Sequence, residues 1–232
     1  MFQSVELSGH DAMSFAKDGA LRMRAALSAA DLQGLEDATA GFPSDQAGIR
    51  LHGIPALQPF LTSSGAVGQV AASVLGNAAR AVRAILFDKT ASTNWGLPWH
   101  QDRTIAVAKR MEVEGFGPWT VKSGLLHVAP PFDVLASIVT LRVHLDTVPE
   151  TNAPLLIAPG SHRLGLIHER EVKSVVQRCG TAVCLAEAGD IWLYSTPILH
   201  SSETARDPVH RRVLQVDFAV GGLPGGLTWL GV

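Results

Sequence analysis

A histidine and an aspartate two residues apart, His100 and Asp102, form the first pair in this sequence that could hold a metal ion. Residues i and i+2 of a β-strand point to the same side of the sheet, so a strand here would direct both side chains the same way. Two histidines and one carboxylate make a facial triad, which binds non-haem Fe(II) and leaves coordination positions open. A His-x-Asp pattern is short enough to arise by chance, so the prediction of an iron site depends on a third ligand.

His200 is the candidate for that third ligand, because it follows a strand-like segment and begins the next ordered one. It lies about a hundred residues beyond the first pair. A sheet that rolls up on itself can return a residue at that distance to the same point, whereas a local metal finger needs closer spacing. The sequence therefore predicts a metal site built from two separate strands.

Two arginines, Arg211 and Arg212, begin an apolar strand eleven residues after His200. An arginine on a strand near the metal could hold a dicarboxylate through a two-pronged hydrogen-bonded fork. Alternate residues share a face, so Arg212 lies on the side with the apolar residues and Arg211 on a mixed side. The outer face of the sheet can also be apolar where helices cover it, so the pattern leaves both arginines open.

A polar face on one apolar strand is the next feature, since Thr140, Arg142 and His144 alternate with apolar residues. A polar face on a buried strand is unusual unless it lines a cavity. We expect Thr140 and Arg142 to line the pocket of a dicarboxylate cosubstrate or that of the substrate, and His144 to line the same pocket or to be a core histidine. Further candidates for the substrate pocket are Trp99, Trp119 and His127, although the tryptophans are more often packing residues and His127 equally fits a structural role. The segment 108–123, which contains Trp119 and Lys122, is the candidate lid.

The order of apolar runs indicates helices outside a β core. A strand is expected at 20–27, and a helix should begin at Ser28, with Asp31 in a capping box, and end near 41–43. Residues 44–62 look irregular, a second helix should run from 63 or 64 to 76–77, and a strand is expected at 81–87. A brief helix is expected at 168–178. Short strands at regular spacing, which suggest a sandwich or barrel, are expected at 99–107, 124–129, 135–145, 154–158, 181–187, 190–194 and 212–220.

Composition excludes several classes of protein. The chain has 232 residues, 47% hydrophobic and 17% charged, which fits one globular domain over 1–232, with a helical flank at about 1–80 and a β core at about 81–220. The net charge of −2 without a basic block argues against nucleic-acid and membrane partners. Cys179 and Cys184 are expected to be reduced thiols. Residues 1–6 lack the layout of a signal peptide, and no apolar run could span a bilayer, so we expect a cytoplasmic protein.

Several segments resemble the phytanoyl-CoA dioxygenase family of Fe(II)- and 2-oxoglutarate-dependent oxygenases. The resemblance covers about residues 85–220 and departs at Ala153, where family members often have glycine. The matching segments are 99–102, 141–146, 152–162, 189–190, 200–202 and residue 211.

The resemblance implies a mainly β fold with flanking helices, in which the core is a double-stranded β-helix of the jelly-roll, cupin-like type. It implies that His100, Asp102 and His200 bind iron, and that Arg211, favoured over Arg212 by the family spacing, binds the distal carboxylate of 2-oxoglutarate together with Ser202. The implied activity uses O2 and converts 2-oxoglutarate to succinate and CO2 while a small molecule is oxidised, usually by hydroxylation.

Two other functions remain as alternatives. A non-catalytic jelly-roll binding protein is disfavoured because all three metal ligands are present. A cupin-like metalloenzyme that does not use 2-oxoglutarate is disfavoured because it would not need Arg211. The sequence shows no basic cluster suited to the phosphates of coenzyme A, which argues mildly against an acyl-CoA substrate.

Overall fold

Three antiparallel sheets form the fold in the computed structural model, which describes residues 7–44 and 46–232. The expectation about residues 1–6 therefore lies outside the described residues. The large sheet has the strand order β1-β11-β8-β13-β3-β2, the second β10-β9-β12-β4, and the small sheet β5-β7-β6. The strands are β1 Ala20–Met23, β2 Gly48–Leu51, β3 Arg80–Lys89, β4 Leu97–His100, β5 Ile105–Ala106, β6 Trp119–Lys122, β7 Leu125–Val128, β8 Val139–His144, β9 Leu155–Ile157, β10 Ala182–Cys184, β11 Ile191–Ser195, β12 His200–Ser202 and β13 Arg211–Ala219.

Helices lie mostly in the N-terminal third of the chain. Ser28 caps α2 as expected, because its hydroxyl accepts from the backbone N–H of Asp31 while the Asp31 carboxylate accepts from Ser28. Ser8 caps the helix before it, which the sequence reading did not predict. The α-helices are α1 Gly9–Asp18, α2 Ala29–Thr39, α3 Gln58–Leu61, α4 Gly68–Leu75, α5 Phe132–Ala136 and α6 Val172–Cys179.

The two faces of strand β13 have different environments. This difference shows which face points to the interior, a question that the sequence left open. Leu214, Val216 and Phe218 are fully buried on the outer face, where they belong to one apolar cluster with Leu35 of α2 and Val70 of α4. The alternate residues of β13 therefore point away from the helices, toward the interior between the sheets. Arg211 lies on that inner side and Arg212 on the side of the helices.

The second sheet packs over the inner face of the large one. Tyr194 of β11 in the large sheet and His200 of β12 in the second sheet have ring centroids 6.0 Å apart. Apolar residues of both sheets, Leu155, Ile157 and Tyr194, share one buried cluster. Two facing antiparallel sheets with the chain passing between them form the double-stranded β-helix, so the expected fold class is confirmed.

Several predicted element boundaries are wrong. The segment 44–62, expected to be irregular, contains β2, which pairs with β3 as an edge strand. The N-terminal flank is therefore not only helical, because β1 and β2 both join the large sheet. A strand was expected at 135–145, but its first residues belong to the end of helix α5, and the chain becomes extended only at Val139. Short edge segments of mixed composition gain their strand conformation from pairing, which local sequence does not encode.

The segment 108–123, predicted to be a lid, ends in a strand. Its residues Trp119–Lys122 form β6, which pairs with β7 in register Trp119 to Val128 and Lys122 to Leu125. This pairing fixes the C-terminal end of the proposed lid in the small sheet, so a movable segment could include only the residues before Trp119.

Two further expectations concerned reduced cysteines and the absence of a membrane-spanning segment. Cys179 and Cys184 are both free thiols, half-buried and buried respectively. Among the described residues, no helix combines the length and the apolar character needed to cross a membrane.

Candidate active site

Strands β4 and β12 bring the three predicted metal ligands together. His100 ends β4 directly opposite His200, the first residue of β12, and their ring centroids are 4.3 Å apart. Asp102 lies in the loop after β4, and not on the strand that the sequence reading expected. One possible ligand atom from each of the three side chains lies within 4.8 Å of the others.

The loop that carries Asp102 is held in place by Gln101, which points away from the other two side chains. The Gln101 amide donates to the carbonyl of Pro197 at 2.8 Å and to that of Gly165 at 3.0 Å, and its oxygen accepts from the N–H of Ile167 at 2.9 Å. Both N–H groups and the oxygen of this buried side chain are therefore engaged in positioning the loop, which does not favour Gln101 as a metal ligand.

Backbone carbonyls set the tautomer of both histidines. Nδ1 of His100 lies 2.8 Å from the carbonyl of Pro98, and Nδ1 of His200 lies 3.0 Å from that of Ile198. A carbonyl can only accept, so each Nδ1 carries the hydrogen and each Nε2 keeps its lone pair for a metal. Burial lowers the pKa of His200 to about 4, which keeps the ring neutral near pH 7.

Asp102 is oriented by a buried arginine. Arg83 Nη2 donates to Asp102 Oδ2 at 2.9 Å, and Arg83 Nε donates to Asp217 Oδ2 at 2.6 Å. Burial alone would raise the pKa of Asp102, but the charge of Arg83, reinforced by that of His200 once the ring is protonated below about pH 4, outweighs it and holds that pKa well below its usual range. The carboxylate is therefore ionised at all ordinary pH values, as a metal ligand must be.

We expect the substitution Arg83→Leu to weaken both metal binding and folding. It would leave Asp217 buried without its cation, which typically costs about 3 kcal/mol or more in unfolding free energy. It would also release Asp102 from its fixed orientation, and loss of such a supporting contact lowers metal affinity by about 10- to 100-fold. Urea unfolding and metal titration measure the two effects. Unchanged metal affinity in a folded variant would show that Arg83 does not position Asp102.

Three cations, Lys89, Arg142 and Arg211, are buried together at the inner face of the large sheet, with exposures of 0%, 6% and 3%. Register brings two of them side by side, because Arg211 of β13 pairs with Lys89 of β3. Lys89 Nζ donates to Ser202 Oγ at 3.1 Å, and Arg142 Nη1 donates to Gln215 Oε1 at 2.9 Å. Within residues 7–44 and 46–232, none of the three forms an ion pair with a carboxylate.

Unpaired polar atoms surround these cations. Nε of Arg142, Nε of Arg211, both ring nitrogens of His144 and both amide atoms of Asn152 are buried, with no hydrogen-bond partner among the described residues. Burying several cations and free donors without an anion is costly. The cluster therefore fits a bound dicarboxylate, which would supply both the missing charge and the missing acceptors.

Burial and the repulsion between these cations lower the pKa values of the basic groups in the cluster. Burial, together with the charges of Arg211 and Arg142, lowers the pKa of Lys89 to about 7. Burial and the charge of Arg142 lower the pKa of Arg211 to about 9, and burial lowers that of His144 to about 3. His144 is thus neutral, and an anion in the cluster would favour the charged forms of the other two.

The remaining predicted cosubstrate residues lie near the cluster or support it. Ser202 Oγ contacts Lys89 and donates to the carbonyl of Ala153 at 3.2 Å, and Arg211 Nη1 donates to the same carbonyl. Ala153, which replaces the glycine frequent in the family, has a left-handed φ of 50°. Thr140 instead contacts Asp217 at 2.9 Å, so it supports the Arg83 network and not the cluster.

A cavity of about 1040 Å³ opens beside His100 and Asp102. Trp99 lines it, as predicted for the substrate pocket. Trp119 does not line it and packs in an apolar cluster and against Arg110. His127 is fully buried in the small sheet, where Nδ1 lies 3.0 Å from the carbonyl of Leu125 and Nε2 has no described partner. Its pKa is lowered by burial.

Sequence reasoning missed Lys89 and Arg83. Both lie on β3, whose ladder with β13 sets Lys89 opposite Arg211 and Arg83 opposite Asp217. The available signal was Arg83, the one charge inside the apolar run 81–87, since a charge inside such a strand needs a buried partner or a ligand. Lys89 lies beyond that run, so no local pattern indicated its burial.

A family model described as phytanoyl-CoA dioxygenase (PhyH) matches residues 15–213. No curated protein sequence matches the chain. Solved structures share its fold. EctD from S. alaskensis in its apo form is 17% identical with a TM-score of 0.68, and the match covers 95% of this chain and 80% of that one.

Two further structures match over most of both chains. HygX from Streptomyces hygroscopicus, solved with nickel and 2-oxoglutarate bound, is 14% identical with a TM-score of 0.62, and the match covers 92% of this chain and 87% of HygX. SnoK, a non-haem alpha-ketoglutarate-dependent carbocyclase from nogalamycin biosynthesis, is 14% identical with a TM-score of 0.65, covering 97% of this chain and 88% of SnoK. At these identities the likeness establishes the fold.

Proposed function

The chain belongs to the phytanoyl-CoA dioxygenase family of Fe(II)- and 2-oxoglutarate-dependent oxygenases, and we propose that it hydroxylates a small organic molecule in the cavity beside His100 and Asp102. The observation that carries this proposal is the juxtaposition of two sites. One possible ligand atom from each of His100, Asp102 and His200 lies within 4.8 Å of the others, and a buried cluster of cations without carboxylates lies in the same interior.

We propose His100 Nε2, His200 Nε2 and one oxygen of Asp102 as the iron ligands. The two carbonyls that hold Nδ1–H leave both Nε2 lone pairs available, and Arg83 keeps the carboxylate ionised and oriented. Three protein ligands leave open positions for other groups. Bound iron supplies the activation of O2, coupled to conversion of 2-oxoglutarate to succinate and CO2, that inserts one oxygen atom into a C–H bond.

Arg211, Lys89 and Ser202 are proposed to hold the distal carboxylate of 2-oxoglutarate, with Arg142 as an additional cation of the same pocket. Arg211 and Lys89 each face Ser202, so their donors converge on one region. Charge-assisted hydrogen bonds from two cations would balance the burial cost of the dicarboxylate and fix its position relative to the iron ligands. The buried setting excludes water from this end of the cosubstrate.

Cosubstrate affinity should fall above pH 7 because of Lys89. Below pH 7 the free protein already carries the Lys89 charge, whose pKa is about 7. Above that pH, binding of the dianion must first return a proton to the amine, so the dissociation constant should rise by up to about tenfold per pH unit. Titration calorimetry with 2-oxoglutarate at pH 6.5, 7.5 and 8.5 (about 0.5 unit below to 1.5 units above that pKa) measures this.

The matched variant is Lys89→Met, which should bind 2-oxoglutarate more weakly than wild type at pH 6.5 and show a nearly flat dependence. An equally steep dependence in Lys89→Met would assign the proton to another group.

The proposed function is tested by titrating Fe(II)-loaded protein with 2-oxoglutarate under nitrogen. Chelation of iron by the cosubstrate should give a visible charge-transfer absorption that requires both components. Addition of air should then release succinate slowly, even without a substrate. A folded, iron-loaded protein with neither signal would refute the proposal and favour a binding protein or a different metalloenzyme.

We also propose that residues 1–232 act as one domain in the cytoplasm, without nucleic-acid or membrane partners. The participation of β1 and β2 in the large sheet supports one domain. The two free cysteines support the cytoplasmic location, and the net charge of −2 supports the proposal that there is no nucleic-acid or membrane partner. A stable proteolytic fragment that begins near residue 80 would contradict the single domain, and recovery in a membrane fraction would contradict the location.

A further inference from the structure

We propose that the substrate of this site is an organic anion with an apolar skeleton, and that Arg50 and Lys122 bind its anionic group. This rests on the proposed function, because it concerns the cavity in which the substrate would be oxidised. The anion would be a carboxylate, phosphate or sulfonate, which share the oxygen acceptors that arginine and lysine recognise.

The cavity wall carries more positive than negative charge. Four cations line it, and the carboxylates on its wall are Asp102 and Glu169. Asp102 is already engaged by Arg83 and is one of the proposed iron ligands. Glu169 can therefore compensate one cation at most, and the wall retains a positive excess that favours an anionic ligand. The four cations are Arg50, Arg103, Lys122 and Lys173.

Arg50 and Lys122 reach this cavity from two different sheets, because Arg50 lies on the edge strand β2 of the large sheet and Lys122 on strand β6 of the small sheet. Arg50 Nη1 donates to Ser123 Oγ at 3.2 Å, and its Nε is buried with no partner in the described chain. Lys122 Nζ donates to Thr104 Oγ1 at 2.9 Å, which leaves two of its three N–H groups. No described carboxylate pairs with either.

The two cations lie close enough to affect each other. Burial lowers the pKa of both groups, and the charge of Arg83 lowers both further, while the carboxylate of Asp102 partly opposes these effects. The charge of Arg50 also contributes to the lowered pKa of Lys122. Half-buried cations that repel one another and keep free donors are stabilised by an anion between them. Arg103 is less suited to this role, because its Nη2 already donates to the carbonyl of Ile167 at 2.5 Å.

Apolar side chains also line the cavity. They are Leu97, Pro98 and Trp99 of β4 and Val172 and Val176 of α6. A ligand with one anionic end and an apolar body would contact both the cations and these apolar residues. The cations proposed for 2-oxoglutarate, Lys89, Arg142 and Arg211, do not line this cavity, so the substrate anion would be separate from the cosubstrate carboxylates.

The test uses three probes with the same eight-carbon chain, which are octanoate, octyl phosphate and octan-1-ol. Each is titrated calorimetrically into wild-type protein that holds Fe(II) and saturating 2-oxoglutarate under nitrogen, so that the cosubstrate cations are already occupied. At least one anion should bind about tenfold more tightly than the alcohol, because charge-assisted hydrogen bonds add to the same apolar contact. The stronger of the two anions identifies whether a carboxylate or a phosphate is preferred.

Arg50→Gln and Lys122→Met should each remove most of this preference and leave octanol binding within twofold of wild type. Arg24→Gln and Lys109→Met, which remove exposed cations outside the cavity, serve as matched controls and should retain it. Equal binding of anions and alcohol, no binding of either anion at millimolar concentration, or a preference that survives in the double variant would overturn the proposal. Failure of wild-type protein to bind iron and 2-oxoglutarate would instead refute the proposed function.

Discussion

His200→Ala is expected to eliminate stable iron binding and 2-oxoglutarate turnover while the protein remains folded. His200 is one of the three side chains whose ligand atoms lie within 4.8 Å of one another, and its Nδ1–H is committed to the carbonyl of Ile198. Loss of a supporting contact already weakens metal sites by about 10- to 100-fold, so loss of a ligand should cost at least about 100-fold in iron affinity. Burial lowers the pKa of His200 to about 4, so the substitution removes a neutral ring and leaves no unpaired charge.

Anaerobic competition with a metal-sensitive dye measures the affinity, and succinate release in air measures turnover. His10→Ala, which removes an exposed histidine of α1, is the control and should match wild type in both. His200→Gln is a second variant whose larger side chain preserves more of the packing against Tyr194 and His100, in case alanine disturbs it. Iron affinity within threefold of wild type in either folded variant would remove His200 from the proposed ligand set.

The grouping of three side chains could be predicted from the sequence, because residue types, spacing and the family resemblance select His100, Asp102 and His200. Their role as iron ligands stays a prediction. The geometric reason given for His100 and Asp102 was nevertheless incomplete, since Asp102 lies in a loop beyond β4. Its orientation comes from Gln101 and Arg83, whose partners are distant in sequence.

Contacts between distant strands explain what the sequence reading missed. Lys89 ends an apolar strand, a position where lysine usually reaches solvent. It is buried here because its strand pairs opposite Arg211 and because Ser202 and the ring of Trp95 cover its ammonium group. Arg50 belongs to a short edge strand that no local pattern indicated, and its approach to Lys122 depends on how β2 and β6 are placed around the core.

The choice between Arg211 and Arg212 also depended on contacts between distant parts of the chain, which the local sequence does not show. Alternation fixed that the two arginines lie on opposite faces, but both faces of β13 carry apolar residues. The helices α2 and α4 cover the face of Leu214 and Val216, which makes that face the outer one. Arg212 there pairs with Asp146 and Glu36, both at 2.7 Å, whereas Arg211 lies 3% exposed among unpaired cations.

We therefore expect Arg211→Ala to change mainly 2-oxoglutarate affinity and Arg212→Ala to change mainly the free energy of unfolding. Arg211→Ala should weaken 2-oxoglutarate binding by about 100-fold, or about 2.7 kcal/mol, as is typical when one partner of a buried charged contact is removed. Without cosubstrate it should not destabilise the fold through charge, because it relieves repulsion with Arg142. Arg212→Ala should leave 2-oxoglutarate affinity within about twofold, but lower the unfolding free energy by about 1 kcal/mol, since its ion pairs are partly exposed.

Calorimetric titration with 2-oxoglutarate and urea unfolding of the cosubstrate-free protein separate the two outcomes, because each variant should change mainly one of the measured quantities. Saturating 2-oxoglutarate should raise the unfolding free energy of wild type and Arg212→Ala by the same amount, since only the folded state binds it, and should raise that of Arg211→Ala much less. If Arg212→Ala lost the cosubstrate and Arg211→Ala kept it, the dicarboxylate would have to bind on the helix-covered face, and the buried cluster of Lys89, Arg142 and Arg211 would need another ligand.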